Sequence, residues 1–205
     1  MYNRTQVKSD AKQSLHMNLG VAIGTSIVGS LILGAIGMVP AVGSLATVIL
    51  TGVISTGLAI VFLEIIRNSQ VDFSDLFKGF SNFGTTCLAG ILTAVFTALW
   101  SLLFVIPGII KSYSYAMTYY ILADNPDMKP LDAITASRQM MEGHKLDLFV
   151  LHLSFFWWYL LCGVTFGIAY IYVGPYVSAA VAKFYETIKA EKTSDVSAAE
   201  SNIND

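Results

Sequence analysis

Residues Leu19 to Leu63 include no Asp, Glu, Lys, Arg, His, Asn or Gln, and only Pro40 interrupts this apolar run. A helix that crosses a bilayer needs about 20 apolar residues, so the run has room for two crossings joined by a tight turn. Composition agrees, because 55% of the residues are hydrophobic and 13% are charged, against about 25% charged in soluble domains. We therefore expect an integral membrane protein.

The apolar segments predict an all-α fold, a polytopic membrane helix bundle of about six transmembrane helices with short amphipathic interfacial helices. Segment 109–123 is short and polar for a crossing, and either a full crossing or a re-entrant segment fits it. Gly167 is the expected turn between the last two helices. The predicted crossings are Leu19–Val39, Ala41–Leu63, Thr85–Val105, Ile109–Ala123 and two helices within Leu148–Ala182.

Three domains or segments follow from this pattern. Residues 1–18 are expected to form an amphipathic helix at the cytoplasmic membrane surface, with Val7, Ala11 and Leu15 on its apolar face. Residues 19–188 form a single transmembrane domain, and the polar tail 189–205 is expected to be disordered in the cytoplasm.

Two further amphipathic helices are expected between the crossings. Segment Glu64–Gly84 alternates charged residues with phenylalanines, which predicts an interfacial helix that leaves and re-enters the same side of the membrane. A helix from about Pro130 to Glu142 fits a proline in the first turn and a stop at Gly143.

The first crossing is rich in small residues. Gly20 with Gly24, and Ser30 with Gly34, have the spacing that lets two helices approach closely in lipid, so we expect this helix to be central in the bundle. The aromatic cluster Phe155–Tyr159 would lie near mid-membrane. Because Trp and Tyr usually occupy the interfaces, we expect this cluster to pack inside the bundle.

Basic residues near short loops favour the cytoplasmic side of a membrane. With six crossings, every cluster of Lys and Arg falls on one side except Lys111, which falls on the other. This distribution predicts a multi-pass protein of the plasma membrane with both termini in the cytoplasm. The turns near Pro40, Pro107 and Gly167 would then lie outside.

Lys111 is the leading candidate for a functional residue, because a charge within an apolar segment is costly unless it reaches water or a partner. It follows Pro107 and Gly108, which are expected to break the helix and free backbone carbonyls. Lys111 would then bind an anionic lipid or solute. The alternative is that its side chain reaches the headgroups from a helix end.

The remaining candidates for ligand or lipid contact are Arg138, His144, Lys145 and His152. The two histidines are eight positions apart, about 12 Å on one helix, and cannot share a metal ion. We predict no metal, no cofactor and no catalytic residue, because motifs for hydrolases, metalloenzymes and phosphate loops are absent from the sequence. The net charge of -2 offers no basic field for nucleic acid.

Three sequence blocks carry a resemblance to a known family. The chain resembles domain-of-unknown-function family 975, whose members are multi-pass membrane proteins of Gram-positive bacteria. The second and third blocks are also distantly similar to a membrane domain found beside some glycerophosphodiester phosphodiesterases, which implies lipid-related work by analogy alone. The blocks are Arg4-x-x-x-Lys8-x-x-Ala11-Lys12-x-x-Leu15, Ile106-Pro107-Gly108-Ile109-Ile110-Lys111-Ser112-Tyr113-Ser114-Tyr115, and Ala133-x-x-x-Ser137-x-x-Met140-Met141-x-Gly143-His144-Lys145.

The family has no established activity, so two functions remain open. The favoured one is a non-catalytic membrane module whose partners are the bilayer, a membrane protein or a second copy of the chain. The alternative is a small transporter or channel with its site at the Pro107–Gly108 break and Lys111.

Overall fold

The computed structural model describes residues 4–38, 43–67, 71–103, 105–165 and 167–203. Within these ranges the chain forms ten α-helices, one 3₁₀ helix and no strand, which confirms the predicted all-α fold. The α-helices are α1 (Arg4–Met17), α2 (Leu19–Gly37), α3 (Gly43–Ile66), α4 (Phe83–Leu103), α5 (Val105–Ser114), α6 (Thr118–Asp124), α7 (Pro130–Met140), α8 (Lys145–Leu153), α9 (Phe156–Val164) and α10 (Tyr170–Ile203), and the 3₁₀ helix covers Phe73–Phe80.

Four segments of the described chain are long and apolar enough to cross a membrane: Leu19–Gly37, Ala46–Ile66, Phe83–Leu102 and Lys145–Val164. The predicted count of six crossings is not confirmed. The predicted fourth crossing is divided between the short helices α5 and α6, and α10 carries charged residues from Lys183 onward. The turn predicted at Pro40 lies outside the described residues.

Helix α3 is the central helix of the bundle, with 61% of its apolar window buried against 17% for the other three spans. Its glycines allow backbone contact with its neighbours: a Cβ added at Gly57 would lie 2.0 Å from the Leu76 carbonyl oxygen, and one at Gly52 would lie 2.2 Å from the Thr86 carbonyl oxygen. In lipid the hydrophobic effect does not bring helices together. Small residues where two helices cross allow close van der Waals packing, which stabilises the contact instead.

The prediction that the first crossing is central is therefore wrong. A Cβ added at Gly20 or Gly34 would meet no neighbouring atom within 4 Å, so these glycines line no helix contact. Only Ala22, Thr25 and Gly29 of α2 are buried. Gly24 of α2 does pack closely, but against the Phe73 side chain, whereas Gly52 and Gly57 of α3 approach the backbone of their neighbours.

The amino-terminal helix α1 packs on protein through its apolar face. Val7, Ala11 and Leu15 are buried in the core, where α1 contacts α10 and α3. An ion pair between Asp10 and Lys183 at 3.5 Å joins α1 to α10. The apolar face that the sequence assigned to the membrane surface is therefore covered by the bundle itself.

The 3₁₀ helix confirms the predicted amphipathic element after α3. Leu76 and Gly79 are buried against α3, while Phe73, Phe77, Phe80 and Phe83 are exposed and form what we call the phenylalanine stripe. Neighbouring rings of the stripe lie 6.2 to 6.3 Å apart. An exposed aromatic row beside charged residues suits the headgroup region of a bilayer.

Helix boundaries follow the predicted signals at three positions. Pro130 begins α7, and Gly143 and Gly167 adopt positive φ angles of 89° and 87° at the turns after α7 and before α10. Glycine is favoured there because it has no Cβ to clash in the left-handed region. The tail differs from its prediction, since α10 continues as helix to Ile203 instead of becoming disordered.

The aromatic cluster Phe155–Tyr159 has one buried member and four exposed ones. Phe155 is buried, and its ring lies edge-on to Tyr176 with centroids 5.0 Å apart. The other four members are exposed, with Trp157 at 74%, and no residue of α9 is buried. The prediction of internal packing is wrong for Phe156, Trp157 and Tyr159. The partly exposed Trp158 contacts Tyr172 and Tyr176 of α10, with ring centroids 6.5 and 6.2 Å apart.

Asp124, the last residue of α6, joins that helix to the end of α3 and to the middle of α10. Its carboxylate pairs with Arg67 at the end of α3 at 2.9 Å, accepts a hydrogen bond from the Tyr185 hydroxyl at 2.9 Å, and pairs with Lys189 of α10. Burial alone would raise the pKa of Asp124, but hydrogen bonds from Lys189, Tyr185 and Arg67 outweigh burial and lower that pKa. The network therefore fixes α3, α6 and α10 to one another.

Candidate functional site: a basic cluster between α5, α7 and α8

The helix that contains Lys111 ends where a side chain from α7 enters. Helix α5 stops at Ser114, and α6 begins at Thr118. The buried Ser137 hydroxyl donates a hydrogen bond to the Ser114 carbonyl at 2.9 Å and accepts one from the Met117 amide at 3.2 Å. A backbone break within apolar surroundings needs such substitutes for the missing helical bonds. Ser137 therefore fixes α7 beside α5.

This contact places Lys111 near two other cations. Lys111 lies three residues, less than one turn of about 5.4 Å, before Ser114, and Arg138 follows Ser137 directly. Burial, then the charges of Arg138 and Lys145, lower the pKa of Lys111. The sides of the membrane predicted for Lys111, Arg138 and Lys145 stay a prediction.

We call Lys111, Arg138 and Lys145 the basic cluster. Within the described residues, none of the three has a carboxylate within the 4.0 Å of an ion pair. The Lys111 ammonium instead lies over the Trp100 ring, 4.6 Å from its centroid. A cation–π contact of this kind contributes about 0.5–1 kcal/mol at an exposed position and does not neutralise the charge. The cluster thus keeps three positive charges without a counter-ion.

Pro107 and Gly108 lie at the start of a new helix. Helix α4 ends at Leu103 and α5 begins at Val105, so the helix boundary lies a few residues before its predicted position, and both residues belong to the first turn of α5. The first-turn N–H groups have no partner within a helix, and the missing N–H of proline therefore costs nothing there. Gly108 packs against α4, where an added Cβ would lie 2.2 Å from the Ser101 hydroxyl.

The two histidines bind locally. His152 Nδ1 lies 3.0 Å from the Leu148 carbonyl on the preceding turn, and its ring meets Tyr113 edge-on with centroids 5.8 Å apart. His144 precedes α8 and lies 3.3 Å from the Asp147 carboxylate. Both histidine rings have partners on their own helix or on a neighbouring one. No hydrogen bond, ion pair or ring contact among the described residues joins either ring to the basic cluster.

No group of three or more His, Cys, Asp or Glu side chains able to hold a metal ion occurs in the described part of the chain. Cys87 and Cys162 are free and partly buried. These observations offer no residues for metal chemistry among the described positions.

One polar site was not predicted from the sequence. Glu64 near the end of α3, Lys78 of the 3₁₀ helix and Asn82 before α4 line a cavity of about 290 Å³. Glu64 was visible in the sequence as the first charge after a long apolar run, but its partners are 14 and 18 residues away in the chain. Only the fold of α3 against the 3₁₀ helix reveals their proximity.

Comparison with known proteins gives a family and no further relatives. No curated protein and no solved structure matches the chain. A family model described as "Protein of unknown function (DUF975)" matches residues 1–111 and 102–192, which together cover most of the 205 residues. The chain therefore belongs to the DUF975 family of proteins of unknown function.

Proposed function

We propose that this protein is a non-catalytic, multi-pass protein of the plasma membrane that binds the headgroups of anionic phospholipids through the basic cluster. The observation that carries the proposal is the grouping of Lys111, Arg138 and Lys145 without a carboxylate partner among the described residues. Like charges brought together repel, and a bound phosphate removes that cost while forming charge-assisted hydrogen bonds.

A membrane headgroup suits the surroundings of the cluster better than a free anion. Lys145 begins the apolar segment Lys145–Val164, and Trp100 lies near the end of the segment Phe83–Leu102. Basic residues and tryptophan at the ends of apolar helices are typical of the interface between hydrocarbon and water. An anionic lipid therefore reaches this position by lateral diffusion, with its chains already in the bilayer.

The distribution of basic residues along the sequence supports cytoplasmic termini, because the positive-inside tendency favours the cytoplasm for most clusters of Lys and Arg. Lys111 stays the exception, since its ammonium lies over Trp100, near the end of α4 that is opposite Phe83. In a chain without Cys87 and Cys162, a cysteine at exposed Asp127 should resist a membrane-impermeant thiol reagent in intact cells, and one at Ile168 should react. The reverse labelling would contradict this topology.

The lipid proposal is tested by native mass spectrometry. The protein is released from vesicles of phosphatidylcholine containing phosphatidylglycerol, and the bound phosphatidylglycerol is counted. Replacing Lys111 or Lys145 by alanine should weaken phosphatidylglycerol binding about fivefold per charge, from about 1 kcal/mol per basic residue near a membrane surface. Lys129→Ala is the matched control, because Lys129 is exposed and lies before α7, outside the cluster.

Equal loss in Lys129→Ala and Lys111→Ala would show that only general surface charge matters, and unchanged binding in the cluster variants would refute the proposal. The transport alternative, with its site at Pro107, Gly108 and Lys111, stays a prediction. Helix α4 ends at Leu103 and α5 begins at Val105, close to the helix break that this alternative requires.

A further inference from the structure

A cavity of about 290 Å³ lies where α3, the 3₁₀ helix, the start of α4 and the end of α6 meet. This volume is near the lower end of the range for small-ligand sites, about 300–1,000 Å³. The cavity is separate from the basic cluster and shares no residue with it. Its polar lining includes Thr56, Glu64, Lys78, Asn82 and Thr86.

The carboxylate of Glu64 is incompletely bonded. Its Oε1 atom accepts a hydrogen bond from the Lys78 ammonium at 3.3 Å, whereas its Oε2 atom is buried and has no hydrogen-bond partner among the described residues. Buried polar atoms are nearly always paired, since an unpaired acceptor loses its hydration without replacement. An orphaned carboxylate oxygen at the wall of a cavity therefore calls for a donor from outside the chain.

The charges around Glu64 do not balance. Lys78 also pairs with Asp75 at 2.8 Å, so one ammonium serves two carboxylates and leaves one net negative charge. The other oxygen of Asp75 accepts a hydrogen bond from the Asp72 amide at 2.7 Å. The Asp75 carboxyl also lies against the Glu64 carboxyl, so two like-charged groups share the single ammonium of Lys78.

The other polar groups of the lining favour a donor as well. The Asn82 side-chain amide donates to the Pro126 carbonyl at 2.7 Å, which leaves its side-chain oxygen as an acceptor. The Thr56 hydroxyl donates to the Gly52 carbonyl at 2.9 Å, within its own helix. The cavity therefore combines negative charge with free acceptors, and an anion would be repelled.

We propose that this cavity binds a primary ammonium group, carried by the headgroup of an aminophospholipid or by a small soluble amine. A primary ammonium offers a positive charge and three N–H donors, whereas a quaternary ammonium offers charge without donors. The cavity lies at the end of the apolar segment Ala46–Ile66, and its lining residues Lys78 and Asn82 are next in the chain to the exposed Phe77 and Phe83. Both sources of amine can reach this depth.

The first experiment uses the full chain extracted from vesicles of equal parts phosphatidylethanolamine and phosphatidylcholine. Native mass spectrometry should show the wild-type protein retaining phosphatidylethanolamine about tenfold more than phosphatidylcholine, and Glu64→Gln should lose that preference, because it removes the charge at constant shape. Glu142→Gln is the matched control, since Glu142 is exposed beyond the end of α7. Ala123→Leu, which fills the cavity without changing its charge, should lose the preference too.

The second experiment separates the two sources. In phosphatidylcholine nanodiscs, free ethanolamine should raise the thermal unfolding midpoint of the wild-type protein but not of Glu64→Gln if a soluble amine is bound, and choline should have no effect. A lipid preference without an ethanolamine effect assigns the cavity to the aminophospholipid. Absence of both effects, or an unchanged preference in Glu64→Gln and Ala123→Leu, would overturn the proposal.

Discussion

Asp124 offers the sharpest test of what holds the bundle together. Its side chain is only 9% exposed and contacts Arg67, Tyr185 and Lys189 from two other helices. Replacing Asp124 with asparagine keeps the shape of the side chain and removes its charge. The amide oxygen can still accept neutral hydrogen bonds, but the nitrogen that replaces the second carboxylate oxygen is a donor and cannot accept any.

The expected loss in the free energy of unfolding depends on how exposed each partner of Asp124 is. Arg67 and Lys189 are 38% and 43% exposed, so each ion pair is discounted to about 0.5 kcal/mol for solvent screening. The Tyr185 hydroxyl is buried, and its charge-assisted hydrogen bond contributes about 1.5–3 kcal/mol. Asp124→Asn should therefore lower the free energy of unfolding by about 2–4 kcal/mol, most of it through Tyr185.

Unfolding by sodium dodecyl sulfate in mixed micelles, followed by tryptophan fluorescence, measures this difference. Tyr185→Phe should account for most of the loss, and the double variant should be little worse than Asp124→Asn, because each change abolishes the charge-assisted hydrogen bond between these two side chains. Asp127→Asn is the control, as Asp127 is an exposed loop residue. Full additivity of the two single changes, or an Asp124→Asn variant as stable as wild type, would refute the reasoning.

Three further outcomes are expected from the same unfolding measurement. Gly57→Ala should destabilise by about 3 kcal/mol because its Cβ overlaps backbone, whereas Gly34→Ala, with open space around it, should change stability by less than about 1 kcal/mol; similar losses would contradict the packing. Ser137→Ala should cost about 3 kcal/mol by leaving two backbone groups of the α5–α6 break unpaired, and exposed Thr135→Ala on the same helix should not. Because the pKa of Asp124 is lowered from 3.8, its stabilisation should be constant above about pH 5 and decrease as the pH falls through the lowered pKa, and this decrease should be missing in Asp124→Asn.

Local signals in the sequence were reliable for segment type and for helix ends. The length of each uncharged run located α2, α3 and α4, because the bilayer sets that length. Pro130, Gly143 and Gly167 marked boundaries through constraints of their own backbone angles. The local hydrogen bond of His152 also fits the simplest expectation, a histidine satisfied near a helix end.

Contacts between segments could not be predicted from the same evidence. An apolar helix has no polar face to distinguish lipid from protein, so the small residues of α2 and α3 looked equivalent. The basic cluster could not be predicted either, because the position of Lys111 depends on the contact of Ser137 with the break between α5 and α6. No local sequence pattern indicates that break. Glu64 and its partners likewise meet only through the fold of α3 on the 3₁₀ helix.

The contact made by Ser137 also constrains the order in which the chain is assembled. Until α7 arrives, the Ser114 carbonyl and the Met117 amide have no protein partner, and neither group is tolerated for long in hydrocarbon. Segment 105–124 therefore completes its insertion only together with α7, as one biosynthetic unit. A nascent chain halted after Asn125 should leave that segment at the membrane surface, within reach of water.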